Sequence, residues 1–114
     1  MKYTSTRSHE TVSETFALLN GLASDGGLYV PATFPEQCLS YRDVADKSYE
    51  EIALVVLSKL FTTFTEAELE TMIRSAYNTV NFDTPDMAPM HSLLERVSVL
   101  ELFHGRTQAF KDMA

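Results

Sequence analysis

Apolar and polar positions recur at helical spacing in the middle of the chain and at strand spacing towards its ends. The first run, Lys2 to Thr6, is short and rich in Tyr and Thr, which suit a pleated, half-buried surface, and it predicts a first strand. Thr11 and Glu14 have capping-box spacing and open a predicted helix on which Val12, Phe16, Leu19 and Ala23 recur. Asn20-Gly21 lies where that helix should end. Asp25-Gly26-Gly27 then predicts a tight turn, its glycines free to take positive φ, feeding a short strand from Leu28 to Val30 that Pro31 stops.

Ser48 with Glu51, and Thr65 with Glu68, repeat the capping-box signature ahead of two clearer stripes. Tyr49, Ile52, Ala53, Val56, Leu57, Leu60 and Phe61 follow helical periodicity over a face wide enough to bury against two neighbours. Leu69, Met72, Ile73, Ala76 and Tyr77 form the second face, behind acidic residues that suit a helix start. The pair predicts an αα-hairpin turning around Thr62 to Phe64, and both stripes read as core rather than as a cofactor-binding face. Asn81 to Met90, with Pro85 and Pro89, reads as a loop. Beyond it, Leu93 to Phe103 fits either one long strand or a hairpin turning at Glu95-Arg96. Its second part is apolar on both alternating faces, the pattern of a strand in a sheet interior. A turn at His104 to Thr107 and helix-forming residues from Ala109 on make half a βα unit, as if the chain broke off inside a domain. The fold class is α+β: short strands with an αα-hairpin, ending in that half unit.

Composition narrows the function. A net charge of -7, with nine scattered Lys and Arg, leaves no basic stripe for nucleic acid or anionic lipid. The longest apolar run, Ile52 to Leu57, is far short of a membrane span, and no apolar signal region follows Lys2. A single cysteine, Cys38, excludes an internal disulfide framework and reads as a small buried hydrophobe. A cytoplasmic, soluble protein is expected.

Candidate chemistry is sparse. His9, His91 and His104 lack ligand partners at zinc spacing, and the Glu clusters are accounted for as helix starts. Gly26-Gly27 has neither dinucleotide nor Walker spacing. Lys111 stands apart: it falls in the first helical turn after an apolar strand, between Phe110 and Asp112. A helix start and burial both favour the neutral amine that attacks an aldehyde. By spacing alone Lys111 remains open between a surface lysine and an imine-forming one.

Two stretches add to this. Asp25-Gly26-Gly27-Leu28-Tyr29-Val30-Pro31, after Asn20-Gly21-Leu22-Ala23, resembles the GLA-DGGLYVP signature near the start of threonine synthases. Leu100 to Asp112, reading LELFHGRTQAFKD, is similar to that family's LELFHGPTLAFKD motif, and the opening Met-Lys-Tyr-Thr-Ser-Thr-Arg fits as well. The resemblance implies the type II pyridoxal-phosphate fold shared with the tryptophan synthase β chain. It also implies conversion of O-phospho-L-homoserine and water to L-threonine and phosphate. On this likeness pyridoxal phosphate is covalent on Lys111, which doubles as a proton carrier, Phe110 packs near the cofactor ring, and Thr107 lines the substrate site. Residues 1–90 correspond to an amino-terminal domain and 91–114 to the start of the cofactor-binding domain.

The likeness covers only the first quarter or so of such an enzyme, so the chain by itself is expected to be an inactive amino-terminal fragment. Arg106 replaces the motif's proline, removing a preset φ, and Gln108 replaces an apolar residue. Those departures keep two alternatives in view. One is a threonine-synthase-like phospho-lyase; the other is a non-catalytic α+β interaction module, self-associating through its exposed strand.

Overall fold

The computed structural model describes residues 1–36 and 39–113; Cys38 and Ala114 lie outside the described residues. β1 (Lys2–Ser5) is the middle strand of an antiparallel sheet, with β2 (Thr11–Ser13) on one side and β3 (Tyr29–Pro31) on the other. The register sets Tyr3 opposite both Val12 and Pro31, and Tyr3 is buried. A single bridge between Leu22 and Leu28 leads into β3.

The first helix, α1 (Glu14–Asn20), starts later than its spacing predicts. Ser13 is the cap, its hydroxyl accepting from the Phe16 amide at 3.2 Å, while Thr11 and Val12 are taken into the β2 ladder. The buried face of α1 is Glu14 and Ala17; Phe16 and Leu19 are exposed, and Ala23 lies beyond the helix. Gly21, at φ 65°, ends α1 by donating its amide to the Ala17 carbonyl at 2.9 Å. In the following turn only Gly26 takes positive φ, 78°. Gly27 is needed for space, because a Cβ there would overlap the Ser5 hydroxyl. Asp25 ties the turn to the sheet, accepting from Ser5 Oγ and from the Gly27 amide, each at 2.8 Å. These bonds hold its carboxyl below the usual range.

α2 (Tyr49–Leu60) and α3 (Glu66–Ala76) pack on each other as the predicted αα-hairpin. Both capping boxes form, at Ser48/Glu51 and at Thr65/Glu68. α3 buries Leu69 and Ile73. α2 packs chiefly on α3 and buries none of its residues fully, so the two-neighbour burial predicted from its stripe is not realised among the described residues. The end of α2 reaches the sheet through Tyr3, whose hydroxyl donates to the Leu60 carbonyl at 2.9 Å and whose ring stacks on Phe61. Asn78 and Asn81 close the end of α3, donating side-chain amides to the Arg74, Ser75 and Ala76 carbonyls.

β4 (Met90–Leu94) and β5 (Val97–Leu100) form the hairpin alternative, turning at Glu95-Arg96. β5 pairs with β4 alone, and both strands are exposed throughout, so the interior-strand expectation does not hold within the described residues. The last element, Phe110–Met113, is a 3-10 turn rather than the start of an α-helix. Among the described residues no helix is long and apolar enough to cross a membrane.

Candidate functional site

Lys111 rides on a turn that is tied down at both ends. At its start, Gly105 bridges Phe82 and the Asp83 amide donates to the His104 carbonyl at 3.0 Å. At its end, the Tyr77 hydroxyl donates to the Met113 carbonyl at 2.8 Å, joining the turn to the end of α3. Both anchors lie in the segment that leaves α3, so the αα-hairpin positions the lysine.

Asp112 holds the turn from inside. Its carboxylate accepts from the Thr107 hydroxyl at 2.7 Å and from the Thr107 amide at 2.8 Å. These two bonds keep the Asp112 carboxyl below the usual range. Gly105 makes the close approach feasible, since a Cβ there would sit 2.5 Å from Asp112 Oδ2. Gln108 occupies the left-handed region at φ 57° and closes the turn by donating its amide to the Gly105 carbonyl at 3.0 Å. A non-glycine residue there is uncommon and costs roughly 1–2 kcal/mol in backbone conformation.

The sequence-predicted residues fall together on this turn. Lys111 and Phe110 are exposed, and Thr107 spends its amide and hydroxyl on Asp112. Lys111 is not buried, so the desolvation expected from a helix behind an interior strand is absent. Its accessible primary amine on a braced turn does meet the steric need of covalent attachment to an aldehyde. Arg106 lines an adjacent cavity of about 170 Å³ with Ala76, Asn81, Phe82 and Asp112.

Three partners escaped the sequence reading. Asp83 and Glu101 flank the His104 ring, at 2.5 Å from Nδ1 and 2.7 Å from Nε2. Only the short-range contact, Glu101 three residues before His104, carried a signal in the spacing. The third is Asp112, five residues after Thr107, noted in the sequence only as the neighbour of Lys111.

Comparison with known proteins gives this turn a context. The family profile for the threonine synthase amino terminus matches residues 2–77. The chain belongs to the threonine synthase family. Its likeness to threonine synthases also extends past the profile, across the β4–β5 hairpin and the Lys111 turn. The threonine synthase of Saccharomyces cerevisiae is 37% identical over 121 residues, covering 98% of this chain and 23% of the relative. The crystal structure of PLP-bound threonine synthase from Brucella melitensis superposes with a TM-score of 0.86 at 42% identity, over 98% of this chain and 24% of that one. Human threonine synthase-like 1 is 39% identical over 102 residues, covering 86% of this chain and 14% of the relative. The chain thus spans about a quarter of the length of the threonine synthases compared. The fold is accordingly that of the first part of a type II pyridoxal-phosphate enzyme.

Proposed function

We propose that this chain supplies the cofactor-attachment lysine, Lys111, of a threonine synthase that converts O-phospho-L-homoserine and water to L-threonine and phosphate. The observation that carries the reading is the FKD turn itself: an exposed amine on a loop braced by Asp112. Its likeness to a threonine synthase crystallised with its cofactor supports it. When bound, pyridoxal phosphate supplies an electron sink for the carbanions of the reaction. Lys111 Nζ would bond its aldehyde and, once displaced by substrate, hold the proton that moves along the substrate carbons. Phe110, exposed beside Lys111, offers an apolar face for the cofactor ring. Thr107 borders the substrate site and acts there through its grip on Asp112.

Residues 1–90 are assigned to an amino-terminal domain and 91–114 to the start of the cofactor-binding domain. A cytoplasmic location, with neither nucleic acid nor membrane as partner, belongs to the same proposal and follows from the acidic balance and single cysteine.

The test is Lys111→Ala in the gene product at its natural length. Loss of the imine absorbance band and a fall in threonine formation by three or more orders of magnitude are expected; full activity in the variant overturns the assignment. The 114-residue polypeptide alone is expected to form weak imines with added pyridoxal phosphate and to turn over no O-phosphohomoserine. A second reading, a phospho-lyase of altered specificity, is favoured by Arg106 in place of the motif's proline. Release of 2-oxobutyrate in place of threonine distinguishes it.

A further inference from the structure

His104 sits where the β4–β5 hairpin meets the Lys111 turn, and none of the chemistry assigned to Lys111 employs it. Its ring is 15% exposed. Nδ1 lies 2.5 Å from Asp83 Oδ1, and Nε2 lies 2.7 Å from Glu101 Oε2. A neutral imidazole carries one N–H, so one of its nitrogens would face a carboxylate lone pair to lone pair; only the imidazolium donates to both. The two carboxylates come from different segments, Asp83 from the connection after α3 and Glu101 from the end of β5. Backbone bonds run alongside: Asp83 amide to His104 carbonyl at 3.0 Å, and Glu101 amide to Pro89 carbonyl at 2.9 Å. His91, on β4, also approaches this cluster, with Nε2 3.5 Å from the same Glu101 oxygen.

We propose that His104 is a positioning residue for Lys111: by bridging Asp83 to Glu101 it fastens the Gly105–Asp112 turn to the segment that follows α3. The inference rests on Lys111 being the attachment lysine. Glu101 first and Asp83 second hold the imidazolium above its ordinary pKa of 6.5. The bridge is therefore complete below that ordinary value and is lost as pH rises through the raised one.

Two readouts on the intact protein test this. The first is the His104 ring titration by NMR, together with the amide resonances of residues 105–113. The ring is expected to titrate above its ordinary value and those amides to shift with it; Asp83→Asn and Glu101→Gln, which keep the imidazole, should lower the ring and abolish the linked shifts. The second is labelling by pyridoxal phosphate, trapped with borohydride and mapped by peptide. Selectivity for Lys111 over Lys2, Lys47 and Lys59 cancels the common pH dependence of amines. It should fall as the ring deprotonates, and His104→Gln should remove that step. Asp83→Asn stands in for His104→Gln if the latter does not fold. A ring at its ordinary value, or selective Lys111 labelling with no step linked to His104, overturns the proposal. Absence of selective labelling at every pH strikes the attachment reading instead, while the NMR readout still decides whether the bridge holds the turn.

Discussion

Glu14 joins the sheet to the αα-hairpin. It is fully buried, and its carboxylate accepts from the Thr63 amide at 2.5 Å, the Thr62 amide at 3.1 Å and the Thr62 hydroxyl at 3.2 Å, as well as from the Met1 ammonium. Burial works to raise this carboxyl, but the Met1, Thr63 and Thr62 hydrogen bonds outweigh it and bring it down to about 2. A lowered carboxylate contributes stability that is present above its unfolded value, near 4.5, and lost as pH falls towards about 2. Acid unfolding in that window is expected, and Glu14→Gln should flatten it. Glu14→Ala leaves the Thr62 and Thr63 amides and the Met1 ammonium without their acceptor and should cost about 1–3 kcal/mol in urea titrations at neutral pH. A loss within a few tenths of a kcal/mol would show that water replaces the carboxylate.

Among the elements, the two boxes at Ser48/Glu51 and Thr65/Glu68 were readable in the sequence because every partner lies within one turn of the helix it starts. Ser48 and Thr65 accept from the amides of Glu51 and Glu68, each at 3.3 Å, and the Glu carboxylates accept in return from the Ser48 and Thr65 amides at 2.7 and 2.8 Å. Ser48→Ala and Thr65→Ala should each destabilise the fold by about 1 kcal/mol, seen as a lower midpoint with unchanged m. Thr11 and Glu14 have the same spacing and form no box, because the amide donors of Thr62 and Thr63 claim the Glu14 carboxylate from 48 and 49 residues away. The site divides in the same way. Lys111 was singled out from a contiguous motif, and the desolvated surroundings expected for it did not follow. Asp83 meets His104 only after the chain returns across 21 residues, a pairing that no local pattern encodes.

For the molecule as a whole, the surface is larger than the mass requires. Its accessible area is 8494 Å², where a compact monomer of this mass would expose about 6,300 Å². The radius of gyration is 16.2 Å, against about 13 Å for a globule of this length. One cluster of exposed apolar side chains lies on the β4–β5 hairpin, where Leu93, Leu94, Val97, Val99 and Leu100 are all open. A strand apolar on both faces reads as a sheet interior, and among the described residues its second edge has no partner strand. Such an edge templates pairing with a further strand. The 114-residue polypeptide should therefore self-associate, its sedimentation coefficient rising with concentration in the micromolar range. Val99→Lys places a charge beside that edge, the device by which exposed strands are kept apart, and should return it to monomer without lowering its unfolding midpoint. If the unmodified polypeptide sediments as a monodisperse monomer throughout, its hairpin is no adhesive edge, and pairing through β5 is not how this surface is covered.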